Sequence, residues 1–287
     1  MSNIMDIYNK ILSIKNTQKI TKAMEMVSAS KMRKIKKHMN NCSHYILMII
    51  NVLNNIKNSS IEYNHKYLIN KNLNNKIGYL IISTDRGLVG NLNINLFKKV
   101  LFDIAKWDKQ GIKSEIALIG EKSVLFFNSI RMPHISNVIR IGDNPKLSTL
   151  LKLIKIMLNL YDTGVLDKIY IANNKFINNI SYIPQIEQIL PIKSLQNKIN
   201  KKYWSYIYES DPKLILDELF TKYIESQVYY KVIENIASEQ SARMVSMKNA
   251  TENGQNIIHE LQILHNKVRQ SAITQEIAEI ISGATAV

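Results

Sequence analysis

The sequence predicts a mixed α/β protein in which two long terminal helices flank a compact α/β domain. Three observations carry that prediction. Every proline falls between Pro133 and Pro212, and every glycine except Gly254 and Gly283 falls between Gly78 and Gly164. Tight turns therefore belong to the middle of the chain. Both ends run for many residues without a breaker, and the middle alternates short apolar runs with amphipathic stretches.

The first element spans about residues 3–57, inside a helical segment of residues 1–60. Ile4, Ile7, Ile11 and Ile14 make one apolar stripe, and Ile46, Ile49, Leu53 and Ile56 make a second. The stretch between them is polar, small and basic, with Met24, Met26, Val27 and Met32 as its apolar content. The α/β domain is placed at residues 75–192. Lys76–Thr84 is a continuous apolar run and reads as a buried strand. Asn91–Lys109 reads as an amphipathic helix ending before Gly111, Ser114–Gly120 as a second strand and Glu121–Asn128 as a short helix. A short strand over His134–Ile139, a helix over Lys146–Tyr161 and a strand over Leu166–Ala172 follow. Ile183–Leu190, framed by Pro184 and Pro191, suits a sheet edge. Strand and helix alternate, so the sheet is expected to be mainly parallel. Lys193–Lys202 is a polar linker.

The last segment, residues 210–287, begins with Asp211 as a helix-capping acceptor and Pro212 at the first helical position. At 1.5 Å per residue this helix would reach about 110 Å, so it needs a partner alongside or a sleeve around it. Tyr230, Ile233, Ala237, Met244, Met247, Ile258, Leu261, Val268 and Ala272 share one alternating three-and-four spacing, the seam of a coiled coil. The same spacing lands on Gln240, Thr251, Gly254 and His265, so the seam is diluted. A diluted seam suits a helix paired in places and elsewhere facing something it must not grip. The two terminal helices form an antiparallel coiled coil if the chain ends meet.

Composition sets the remaining bounds. With 46% hydrophobic and 21% charged residues, the 287-residue chain has the makeup of a folded soluble protein. No apolar run is long enough to cross a bilayer, and Asp6 and Asn9 interrupt any signal-peptide pattern. A cytoplasmic compartment is expected. Cys42 is the single cysteine, which excludes an internal disulfide and a cysteine-cluster metal site. The net charge of +15 calls for an anionic partner, whether nucleic acid, membrane surface or acidic protein. It is concentrated between Lys10 and Lys37, where Glu25 is the only acid.

Signs of catalysis are weak. Ser83–Asn93 follows the first strand and carries Gly87 and Gly90 ahead of a helix, the place for a phosphate loop. It lacks the GxGxxG and GxxxxGK[ST] spacings, and Asp85 and Arg86 are read as fixing a turn and an internal ion pair. The histidines lack ligand spacing, so no metal site is expected, and no catalytic residue or cofactor is assigned. Charge alone leaves open a basic coiled-coil protein that binds nucleic acid. Against it stands the lack of aromatics interleaved with the basic run.

Four stretches carry a more specific resemblance. NTQKITKAMEMVSASKMRK (Asn16–Lys34), STDRGLVGNLN (Ser83–Asn93), ASEQSARMVSM (Ala237–Met247) and Leu261–Val287 resemble the signatures of the gamma subunit of F-type ATP synthases. They stand in that family's order over essentially the whole chain, and the likeness is greatest to gammaproteobacterial members. The resemblance implies a curved antiparallel coiled coil of the terminal helices inside a ring of alternating alpha and beta subunits. It implies a Rossmann-like central domain beside the epsilon subunit and the ring of c subunits. It implies a non-catalytic rotor, peripheral on the cytoplasmic face of the bacterial inner membrane, that turns with the c ring and forces each beta subunit through different nucleotide affinities. Carried over by position, Met24 touches the acidic lever of beta, Arg243 lies near that lever, and Arg269, Gln270, Thr274 and Glu276 meet beta near the C-terminus. Tyr206, Tyr208 and Glu209 match the foot that meets the c ring. The sequence departs from relatives in having Val89 where a cysteine is frequent and Asn91 where a glycine is common. It carries no inserted cysteine pair of the redox-regulated photosynthetic kind.

Overall fold

The computed structural model describes residues 2–58, 65–69, 76–192 and 212–285. Among these residues ten elements follow in order. Helix α1 is Ser2–Asn58; β1 is Lys76–Ile82, α2 Leu92–Asp108, β2 Lys113–Ile119 and α3 Glu121–Ser129. Next come β3 (Ser136–Val138), α4 (Leu147–Asp162), β4 (Leu166–Phe176), β5 (Tyr182–Leu190) and α5 (Pro212–Thr285). By their contacts the residues divide into two units, one of residues 1–29 with 243–287 and one of residues 30–242.

In the larger unit the five strands lie in the order β3-β2-β1-β4-β5. The β1–β2, β1–β4 and β2–β3 pairs are parallel, and the β4–β5 hairpin adds one antiparallel edge. The mainly parallel sheet read from the alternation is what forms. β1 shows why it sits at the centre: from Ile77 to Ile82 every residue is buried, so both faces are covered. Its odd-numbered residues Ile77, Tyr79 and Ile81 point to one face, where Leu96, Phe97, Val100 and Ile104 of α2 and Phe127 of α3 meet them. Leu80 and Ile82 point to the other, against Leu153, Ile154 and Met157 of α4, with Ile49 and Leu53 of α1 and Phe220, Ile224 and Val228 of α5. The sheet is thus covered on one side by α2 and α3. On the other it is covered by α4 and by the parts of α1 and α5 that belong to this unit.

β4 runs four residues further than the apolar run predicts, to Phe176. The extension is NNKF, whose asparagines are disfavoured in strands. They are held there by β5, whose Gln185 and Pro184 pair with Asn173 and Asn174. Where β2 passes into α3, Gly120 sits at φ +98°, and a Cβ there would lie 2.6 Å from the Ser83 carbonyl oxygen. Only glycine lets the two strand ends approach so closely.

Candidate functional site

In the smaller unit the two helices pair along a heptad seam. On α1, Ile4, Ile7, Ile11, Ile14, Gln18, Thr21, Glu25 and Ser28 keep one three-and-four spacing, and each is at least half-buried among largely exposed neighbours. The seam therefore continues through the stretch that reads as polar in the sequence. On α5 it runs through Met247, Thr251, Gly254, Ile258, Leu261, His265, Val268 and Ala272. Gln18 donates from Nε2 to the Thr251 carbonyl (3.2 Å) and to Gln255 Oε1 (3.0 Å), and the Thr21 and Thr251 hydroxyls lie 2.8 Å apart. Gly254 stands against Gln18 and Ile14. Residue numbers rise on one helix as they fall on the other, so the pair is antiparallel. At that register α1 begins level with about Val268 to Ala272. From Ile273 on, every described side chain of α5 is exposed, including Ile273, Ile277, Ile280 and Ile281.

The residues singled out in the sequence fall in distinct settings. Met24 is half-buried, while its neighbours Met26 and Val27 are exposed at 62% and 52%. Arg243 is buried. Arg269, Gln270, Thr274 and Glu276 all lie exposed on the last turns of α5, with the Thr274 hydroxyl donating to the Gln270 carbonyl (2.9 Å). They share that segment with the exposed isoleucines. Tyr206, Tyr208 and Glu209 lie outside the described residues. In the basic run Lys10, Lys15, Lys19 and Lys22 are exposed in the smaller unit, and Arg33, Lys34, Lys36 and Lys37 in the larger.

The glycine loop after β1 is closed on itself. Thr84 and Asn93 bind each other through Asn93 Nδ2 to Thr84 Oγ1 (2.7 Å). The Asp85 carboxylate accepts four backbone N–H groups: Glu121 and Arg140 on Oδ1 (both 3.1 Å), Ile141 (2.8 Å) and Gly142 (3.3 Å) on Oδ2. Arg140 and Gly142 have positive φ (58° and 70°), which turns successive N–H groups inward, and Glu121 opens α3. These are the groups that would hold a phosphate, and Asp85 takes them. The expected ion pair with Arg86 is corrected accordingly: among the described residues Asp85 is held by backbone N–H groups and makes no salt bridge.

One cluster escaped the sequence reading. From Lys231 to Ala242 every residue of α5 is buried. Five of its polar residues, Lys231, Glu234, Asn235, Ser238 and Ser241, recur at i, i+3, i+4, i+7 and i+10, which puts those five on one face. Asn173 Nδ2 donates to Glu234 Oε2 (2.9 Å), and the Asn174 N–H and Nδ2 both donate to Asn235 Oδ1 (3.1 and 3.0 Å). Asn235 Nδ2 donates to the Ser83 carbonyl (3.4 Å) and the Ser238 hydroxyl to the Asn174 carbonyl (2.9 Å). Lys231 Nζ reaches Glu187 (2.6 Å) and Glu234 (3.4 Å). A polar face on a helix free of loop residues, and an Asn pair ending an apolar strand, were the signals available.

A two-helix antiparallel seam, joined in sequence to a mainly parallel α/β sheet with Asp85 seated where a phosphate would go, defines a mixed coiled-coil and α/β class of protein. The family model for ATP synthase matches residues 3–287. The chain belongs to that family, the gamma subunits of ATP synthases. Solved structures with this fold include the Euglena gracilis mitochondrial ATP synthase in two depictions. Its rotor in rotational state 1 has 17% identity, covers 95% of this chain and 99% of that one, and gives a TM-score of 0.64. Its OSCP/F1/c-ring assembly in rotational state 3 has 19% identity, covers 99% and 94%, and gives 0.68. The Tetrahymena thermophila mitochondrial central stalk and c-ring structure has 22% identity over 80% of this chain and 99% of that one, with a TM-score of 0.56.

Proposed function

We propose that this chain is the central-stalk rotor of an F-type ATP synthase. It makes no bond and breaks none; ATP is made or hydrolysed at the sites of the surrounding alpha and beta subunits. The rotor turns with the c ring, and its asymmetric surface favours a different conformer of each beta subunit in turn. Rotation thereby delivers differential binding free energy to each nucleotide site. Epsilon and the c ring are its partners at the foot, where Tyr206, Tyr208 and Glu209 are assigned. The complex places the chain on the cytoplasmic face of a bacterial inner membrane.

Beside the family match, one observation supports this reading: α5 continues past its partner with four exposed isoleucines on its last turns. Isolated in water such a stripe is a liability, and within an apolar sleeve it is a bearing surface that slides without directional bonds. Arg269, Gln270, Thr274 and Glu276 on the same turns are polar contacts for beta, and the exposed basic run of α1, with Met24 beside it, faces the acidic levers.

The test is reconstitution with matching alpha and beta subunits followed by an ATPase assay of the purified assembly. The expected result is a stable complex that turns over ATP only when this chain is present, and that Gln270→Ala or Met24→Lys slows. A chain that neither joins the ring nor supports turnover overturns the proposal.

A further inference from the structure

The strand order gives the α/β domain a switch point. From β1 the chain moves through α2 to β2 on one side, while β4, reached later, lies on the other. In open α/β sheets the crevice outside the carboxyl ends of two such strands is where a ligand binds. Here Ser83 follows β1, and Asn173 and Asn174 follow Ala172, which pairs with Ile81. The residue after β1 and the part of β4 just beyond its pairing with β1 are thus the very residues that bind α5. The Asn235 carboxamide bridges them, accepting from the Asn174 N–H and donating to the Ser83 carbonyl. The neighbouring anion seat is taken by Asp85.

We propose that this crevice is the torque coupling of the rotor: α5 fills it as a ligand would, and the Asn235 carboxamide fixes the angle of the helix against the sheet. The inference rests on the rotor reading above. Its physical basis is the difference between apolar and hydrogen-bonded contacts. Apolar packing is non-directional, so a helix held by it alone can slip to a neighbouring register at modest cost. A slip of one residue turns a helix by about 100° and moves it about 1.5 Å, far beyond the tolerance of a hydrogen bond. Asn173, Asn174, Asn235 and Ser238 are all fully buried, so water does not replace a lost partner. The Asn173 and Asn174 side-chain oxygens already lack a partner among the described residues, which leaves no slack. Setting a register is the best-attested use of buried polar groups.

The experiment places full-length variants in the complete proton-translocating complex in vesicles and measures ATP hydrolysis and ATP-driven proton uptake together. The wild-type chain must first restore both; if it restores neither, the rotor reading itself has failed. Asn235→Leu is close in volume and removes the bridge. It is expected to leave hydrolysis near the wild-type rate while protons taken up per ATP fall about threefold or more, as directional bonds are lost from the coupling. Ser238→Ala removes one bond to β4, is expected to give a smaller fall, and carries the test if Asn235→Leu does not assemble. Ile236→Val, in the same buried turn, is expected to keep the wild-type ratio. Assembled variants at Asn235 or Ser238 with an unchanged ratio of pumping to hydrolysis would overturn the proposal.

Discussion

His65 shows how a single buried group ties stability to pH. Its ring is 2% exposed, stacked on Phe220 of α5 at 4.4 Å between centroids. The Tyr67 N–H donates to Nδ1 (3.1 Å), and Nε2 faces Asp217 Oδ1 at 3.1 Å, so the neutral ring with the proton on Nε2 satisfies both nitrogens. Burial lowers the pKa below its ordinary value; Asp217 and Asp162 oppose the shift and Lys66 adds to it, without reversing it. The sign then follows. As pH falls through the usual imidazole value of about 6.5, the unfolded chain takes up a proton that the folded chain refuses. His65 therefore contributes stability above that pH and loses it progressively below. Thermal unfolding of the full chain between about pH 7.5 and 5.5 is expected to show a falling midpoint, and His65→Phe is expected to flatten that slope. A wild-type midpoint no more pH-sensitive than that of the variant would contradict the assignment.

At the scale of elements, α5 is the longest and belongs to both units. Gly254 is a weak point of it, since glycine is disfavoured inside a helix relative to alanine. A Cβ there would meet Gln18 at 3.7 Å and Ile14 at 4.0 Å, ordinary contact distances. Gly254→Ala is therefore expected to stabilise this part of the helix by about 0.5–1 kcal/mol. Slower amide exchange around residues 250–258 would show it, and faster exchange would mean that close approach to α1 requires the glycine. Much of this element was legible in the sequence. The seam residues from Met247 to Ala272 are legible from spacing alone, because a heptad needs only the local pattern, whereas Ile233 and Ala237, on the same spacing, lie in the core shared with the sheet. The strands and crossover helices were legible for the same reason, with ends shifted by a few residues. The polar half of the α1 seam was not: Gln18, Thr21, Glu25 and Ser28 look solvated until their partners are known. Asn235 was invisible for a stronger reason. Its partners, Ser83 and Asn174, lie 152 and 61 residues away, and no periodicity links a helix face to two strand ends.

For the whole molecule, the rotor reading proposed above implies that the charge and the apolar surfaces make separable contributions to docking. The net charge of +15 includes exposed Arg33, Lys34, Lys36 and Lys37 on α1, whereas Ile277 and Ile280 are exposed apolar groups on α5. Exposed ion pairs are weak singly and fade as the screening length shrinks, from about 8 Å at physiological salt to about 3 Å at 1 M. Apolar burial is not screened in this way, and excluded salts strengthen it. Association with the alpha and beta ring is therefore expected to weaken as salt rises and then to level off at an apolar floor. Lys34→Gln with Lys37→Gln should flatten the salt dependence and leave the floor in place. Ile277→Ser should lower the floor and leave the salt slope unchanged. The two effects should add, because the substituted residues lie in different units and share no partner among the described residues. If Ile277→Ser changed the slope, or the lysine pair lowered the floor, the division of labour would be wrong. If the salt slope instead matched that for generic DNA and no floor remained, charge alone would account for docking and the rotor contacts would have to be sought elsewhere.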